Sequence, residues 1–164
     1  GENGEYYRGF DEEMRCAMRD LCKQADIITP NLTEALMLLG KDARQQNLSP
    51  ETAKEYAREL AELGPKTVII TGIGQGETVW NVGYDAGEGS EFLVGNRRIG
   101  GGYSGTGDIL SSVVCGCMVR GESAHTALER AARLLEASIA EAVADGTDPN
   151  EGIAFEHHLK LLMD

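Results

Sequence analysis

The sequence predicts an α/β layered domain, a sheet flanked by helices, and three observations predict it. Segments with apolar residues at helical spacing alternate with short apolar strands. The run "KTVIITG" is apolar without interruption, as expected of a strand buried on both faces of a parallel sheet. A glycine-rich stretch, "GGGYSGTGD", feeds directly into "ILSSVVCGCMV", which reads as a buried helix. The 164 residues are enough for one domain with a real core, and 1–164 is read as a single domain.

Taken in order, "FDEEMRCAMRDLCKQA" places Met14, Ala17, Met18, Leu21, Cys22 and Ala25 on one helical face. Asp11 is its expected N-cap, and the acidic residues that follow suit the positive end of the helix. "DIITP" is a short strand stopped by Pro30, and "NLTEALMLLG" a helix closed by Gly40. In "SPETAKEYARELAELG", Ser49 caps, Pro50 takes the first turn and Gly64 stands at the C-terminal end. The strand "KTVIITG" follows, then a hairpin of "GETVWNVGY" and "EFLVGNRRI" across the turn "DAGEGS". Three further helices are expected at 108–119, 122–144 and 151–163.

The formal net charge of -12 and the lack of any Lys/Arg block argue against nucleic acid as a partner. No apolar run is long enough to cross a membrane, and no signal peptide opens the sequence. A cytoplasmic protein is expected. The four cysteines lack the C-x-x-C spacing of a zinc site: Cys16 and Cys22 are off-register, and Cys115 and Cys117 point to nearly opposite sides of one helix. All four are expected to be buried or semi-buried thiols in a reducing compartment.

The chemistry concentrates in "SGTGD". A helix beginning near Gly105 leaves its first N–H groups without intrahelical partners and aims its positive dipole end outward, which suits a phosphate. Gly105 and Gly107 have no Cβ to keep a phosphate away, and Thr106 adds a hydroxyl. Asp108 beside such a cradle repels an anion, which makes little sense for binding alone. It makes sense if the carboxylate takes a proton from a hydroxyl that attacks phosphorus. The competing reading is an ordinary acidic residue in the first turn of a helix after a glycine turn. No Walker lysine follows these glycines. "TGIGQG" at 71–76 has the wrong spacing for a dinucleotide fingerprint and leads toward a strand, so it is read as a loop near the sheet's C-terminal edge that lines a ligand site. In "TPNLTEA", Asn31 and Glu34 fit a helix capping box. Capping is the favoured reading, and the other is two groups that order water around a magnesium ion on phosphates.

Together, "ADIITPNLTEALMLLG", the strand ending in "TG", the hairpin and "YSGTGDILSSVVCG" resemble the C-terminal half of the pyridoxal kinases, members of the ribokinase-like superfamily with a Rossmann-like sheet. The resemblance runs in register over nearly the whole chain. It implies ATP-dependent phosphorylation of the hydroxymethyl group of pyridoxal, pyridoxamine or pyridoxine, with Mg2+. Asp108 matches the general base, and Gly105, Thr106 and Gly107 the γ-phosphate anion hole. Asn31 and Glu34 match the N-x-x-E motif tied to magnesium through water. Thr71 and Gly72 match a strand end near the nucleotide phosphates. The loop with Arg97 and Arg98 is a candidate wall of the adenine pocket, or simply a solvated basic turn. A hydroxymethylpyrimidine kinase of the same superfamily and a non-catalytic nucleotide-binding or assembly fragment are the alternatives.

The resemblance also implies that "GENGEYY" follows a strand ending in D-P-V-M-G, with Gly1 as that glycine. The family's N-terminal strands, much of its acceptor pocket and its lid would then precede this segment, and the fragment alone would lack most of the acceptor site. The sheet edge is therefore expected near "DIITP", with the apolar faces of the helices at 11–25 and 31–39 short of partners. Association with another copy, or with a first half, is the expected consequence.

Overall fold

The computed structural model describes residues 4, 5, 8, 9, 11–45 and 47–163, so Gly1 and its expected place in a motif lie outside the described residues. The chain divides into two compact units, 1–93 and 94–164.

In the first unit, helix α1 (Glu12–Cys22) starts as its sequence dictates, with Asp11 Oδ1 accepting the Met14 N–H at 2.9 Å. Strand β1 (Ile27–Ile28) is short and pairs in parallel with β2 (Thr67–Gln75), Ile27 opposite Thr67 and Ile28 opposite Val68. Helix α2 (Leu32–Leu38) begins at Asn31, and α3 (Pro50–Ala61) at Ser49, whose hydroxyl accepts the Thr52 N–H at 3.2 Å. With strands β3 (Thr78–Asp85) and β4 (Ser90–Arg97), the described residues form a four-stranded sheet in the order β1-β2-β3-β4. β4 is the strand in which the first unit ends and the second begins.

The sheet is mixed, not wholly parallel, because β2 and β3 form an antiparallel hairpin. The segment "TGIGQG" is not a loop: β2 continues to Gln75 and turns back at Gly76, whose φ of 61° suits a two-residue hairpin turn. The expected burial of the apolar strand does hold, since Val68, Ile69 and Ile70 are all fully buried. Val68, Ile70, Ile73 and Val82 join Leu36, Ala53, Ala57 and Leu60 in one core beneath α2 and α3.

The two helices expected to lack partners differ. α2 buries Leu32, Ala35, Leu36 and Leu38 in that core, so its apolar face is satisfied within the chain. α1 buries Cys22, while Met14, Met18 and Leu21, successive turns of the same stripe, stay exposed. Among the described residues, β1, next to it in sequence, is an edge strand.

In the second unit, α4 (Thr106–Val119) packs against α5 (Ala124–Asp145), burying Leu110, Val114 and Cys117 with Ala127, Leu128, Ala131 and Leu134. The last helix is not α-helical. It consists of two 3₁₀ segments, Pro149–Glu151 and Phe155–Leu162, separated at Gly152, whose φ of 84° and ψ of -155° no helix contains. The second segment packs on α5. There Glu141 accepts hydrogen bonds from His157 Nδ1 and from His158 Nε2, both at 2.6 Å.

This clasp has a pH signature. The hydrogen bond to Glu141 holds His157 protonated above its ordinary pKa of 6.5, with Glu156 and Asp145 adding to the effect. The hydrogen bonds from His157, then His158, hold Glu141 below its ordinary 4.5. The histidine contribution is complete below 6.5 and fades as pH rises through the raised value. The carboxylate contribution is complete above 4.5 and fades as pH falls through the lowered value. The clasp therefore stabilises most between 4.5 and 6.5. Melting curves of the native protein and of Glu141→Gln should differ most in that window and converge on either side. A pH-independent difference would rule the clasp out.

All four cysteines are free thiols. Cys22 and Cys117 are buried as expected, and burial pushes both pKa values up. Cys16 and Cys115 are exposed, contrary to expectation: Cys16 lies on α1 away from the face that buries Cys22, and Cys115 lies across α4 from Cys117. Among the described residues, no helix is long and apolar enough to cross a membrane.

Candidate active site

Gly105 is the N-cap of α4 with φ 83° and ψ -5°, a left-handed conformation that glycine alone adopts without strain. It offers no side-chain cap. The first N–H groups of α4 therefore lack the side-chain oxygen that caps α1, α2, α3 and α5, and that of Thr106 makes a long bond of 3.5 Å to the Tyr103 carbonyl. Thr106 turns its hydroxyl inward, donating to the Tyr103 carbonyl at 3.0 Å, and so helps fix the turn. A Cβ added at Gly105 or Gly107 would meet nothing within 4 Å. The space in front of the turn is open.

Asp108 is the third residue of α4 and is exposed. It stands at the rim of a groove of about 430 Å³ that runs along α4 past Ile109, Val113 and Gly116. Phe155, Leu159 and Leu162 of the C-terminal segment form the opposite wall. Their spacing of i, i+4 and i+7 fits the helix expected at 151–163, but periodicity alone does not say that this stripe faces α4.

In the first unit, Asn31 and Glu34 form a complete capping box. Asn31 Oδ1 accepts the Glu34 N–H at 2.9 Å, and Glu34 Oε2 accepts the Asn31 N–H at 3.0 Å. Asn31 also bridges Thr71 in parallel, while the Thr71 N–H donates to the Pro30 carbonyl at 2.9 Å. Thr71 and Gly72 sit where the register of β2 against β3 shifts, between Ile70 and Ile73. This bulge is held by Asn81, a buried residue of β3 whose Oδ1 accepts the Gly72 N–H at 3.2 Å. Asn81 escaped the sequence reading, although an asparagine inside an apolar strand is the signal that could have found it. Asn31, Glu34, Thr71 and Gly72 are thus neighbours at the ends of β1 and of the regular part of β2. Arg97 and Arg98 are exposed at the end of β4.

Among the described residues there is no group of three or more His, Cys, Asp or Glu side chains able to hold a metal ion by themselves. A magnesium ion held mainly by substrate phosphates and water asks less of the protein, one or two carboxylates, and Glu34 is a donor of that kind.

Comparison with solved structures gives the class. A Bacteroides thetaiotaomicron protein assigned as a phosphomethylpyrimidine kinase, crystallised with pyridoxal, is 35% identical with a TM-score of 0.93, over 100% of this chain and 58% of its own. Pyridoxal kinase from Lactobacillus plantarum is 33% identical with a TM-score of 0.85, over 99% of this chain and 58% of its own. An ADP complex of Bacillus subtilis pyridoxal kinase is 28% identical with a TM-score of 0.70, over 81% of this chain and 51% of its own. The chain thus spans little more than half the length of these proteins. Its fold is that of the ribokinase-like kinases. The phosphomethylpyrimidine kinase family profile matches residues 8–152, and the chain belongs to that family. No curated protein matches it.

Proposed function

We propose that this chain carries the phosphate-binding and base-bearing part of an ATP-dependent kinase that phosphorylates the hydroxymethyl group of a pyridoxal-type acceptor. The observation that carries the reading is the uncapped, left-handed turn at Gly105 with an exposed carboxylate three residues on. The N–H groups at Gly105, Thr106 and Gly107 face the γ-phosphate and balance the charge that builds on it in flight. Asp108 accepts the proton of the acceptor hydroxyl as its oxygen bonds to phosphorus. The bond between the γ-phosphorus and the β,γ-bridging oxygen breaks, and ADP leaves with that electron pair. Thr71 and Gly72 offer backbone at the bulge for the nucleotide phosphates. Asn31 and Glu34 would order water around Mg2+, which would lend positive charge to the phosphates.

Pyridoxal as acceptor is supported by the likeness to the Lactobacillus plantarum enzyme and to the protein crystallised with pyridoxal. The family itself favours a second reading, hydroxymethylpyrimidine as acceptor. Initial rates of the full-length protein with each alcohol test both: transfer to pyridoxal at the higher kcat/KM supports the first reading. Preference for the pyrimidine replaces it with the second. ATP binding without transfer to either alcohol leaves a non-catalytic nucleotide-binding role.

Glu34→Gln separates the metal role from the capping box. A raised Mg2+ requirement at unchanged thermal stability is expected, because the amide oxygen still accepts the Asn31 N–H but no longer carries charge. Lower stability with an unchanged Mg2+ dependence would assign Glu34 to capping alone. A cytoplasmic setting suits the free thiols and acidic charge. The edge strand β1 and the exposed Met14, Met18 and Leu21 support association, with a second copy or with further polypeptide, which light scattering would detect.

A further inference from the structure

The loop that presents the phosphate turn does not stand alone. Ser104, immediately before Gly105, donates its N–H to the Pro149 carbonyl at 2.9 Å. On its other side, a Cβ added at Gly152 would come within 3.2 Å of the Ser104 carbonyl oxygen. Gly152 has φ 84° and ψ -155°, a conformation essentially reserved for glycine, so its backbone packs against Ser104 where no other residue would fit unstrained. The short turn between these two contacts is itself fastened. Asp148 Oδ1 accepts the Asn150 N–H at 2.8 Å and Asn150 Nδ2 at 2.9 Å. Downstream, the same segment is tied to α5 through Glu141 and the two histidines.

We propose that residues 148–152 are a brace that positions the phosphate turn, with Asp148 and Gly152 as positioning residues. The inference rests on the kinase reading above, because it gives the brace its purpose. The Ser104 N–H is bonded to the brace and its carbonyl oxygen lies close against Gly152, and Ser104 sets the direction from which the chain enters the left-handed turn at Gly105. A small rotation there would swing the first N–H groups of α4 away from the transferring phosphate. Misplacement of reacting groups by about 1 Å costs on the order of a hundredfold in rate. None of these residues is placed in contact with substrate.

Asp148 is exposed, so its replacement leaves the core intact. In the full-length protein, Asp148→Ala should lower kcat/KM for ATP about fivefold, the factor that corresponds to losing one such side-chain cap, with the acceptor KM unchanged. Asp148→Asn keeps the acceptor oxygen without the charge and should restore the native value. Gly152→Ala, which strains the contact itself, should lower kcat/KM further. Hydrogen exchange at the Ser104 amide gives a readout that does not need turnover: it should speed up in Asp148→Ala and return to normal in Asp148→Asn. Native kcat/KM in both Asp148→Ala and Gly152→Ala would overturn the brace and leave the kinase reading standing. So would failure of Asp148→Asn to rescue, since charge and not the hydrogen bond would then be responsible. If the native protein transfers no phosphate, the kinase reading fails, and unchanged exchange at Ser104 would then dispose of the brace as well.

Discussion

Asp108→Asn should lower turnover by about 10²- to 10⁴-fold while nucleotide binding survives. The amide matches the carboxylate in shape but cannot take the acceptor proton. Asp108 is exposed on the first turn of α4, so the fold makes little use of it beyond a favourable interaction with the helix dipole, worth about 0.3–1 kcal/mol. Folding should therefore change little. ADP affinity should hold or rise, because a negative charge beside the phosphates is removed. Steady-state rates, with an ADP titration on the same sample, check both halves of the expectation. Native turnover in the mutant would show Asp108 to be a first-turn acid and nothing more.

Gly107→Ala should separate folding from function most cleanly. Gly107 is helical, exposed and surrounded by open space, so alanine fits the free protein. Alanine is also the better helix former, by up to about 1 kcal/mol. Yet a helical Cβ tilts toward the N-terminus, into the space where a phosphate would approach the N–H groups. The melting temperature without nucleotide should hold or rise, while the increase produced by ATP should largely vanish. A loss of kcat/KM for ATP on the order of a hundredfold is expected, as when one oxyanion donor is removed. An undiminished ATP-induced shift would mean that no phosphate seats at this turn.

Much of this was legible in the sequence where a residue type has one physical use. Asp11, Asn31 and Ser49 cap helices because short polar side chains reach the orphan N–H groups, and each does so here. The glycines of "SGTGD" foretold a turn at a helix start for another reason, the left-handed backbone that Gly105 adopts without strain. Legibility failed where glycine has two uses. In "TGIGQG" it suggested a loop, yet Gly72 serves a bulge within β2, and only the partner Asn81 on the next strand reveals it. It failed again at the C-terminus, where "FEHHLKLL" is amphipathic in either helical form and periodicity does not choose between them. For α1, periodicity located the apolar stripe but cannot tell whether the chain covers it, and Met14, Met18 and Leu21 remain exposed.

The placement of the four thiols has a use of its own. Each compact unit holds one accessible and one sheltered cysteine: Cys16 and Cys22 in the first, Cys115 and Cys117 in the second. Alkylation requires the thiolate, and burial both shields Cys22 and Cys117 and keeps them protonated. Exposed Cys16 and Cys115 act as internal clocks for the reagent, while labelling of Cys22 or Cys117 records an opening of the unit around it. The protein thus carries its own paired probes, able to report whether its two halves loosen together or one before the other, with no label engineered in.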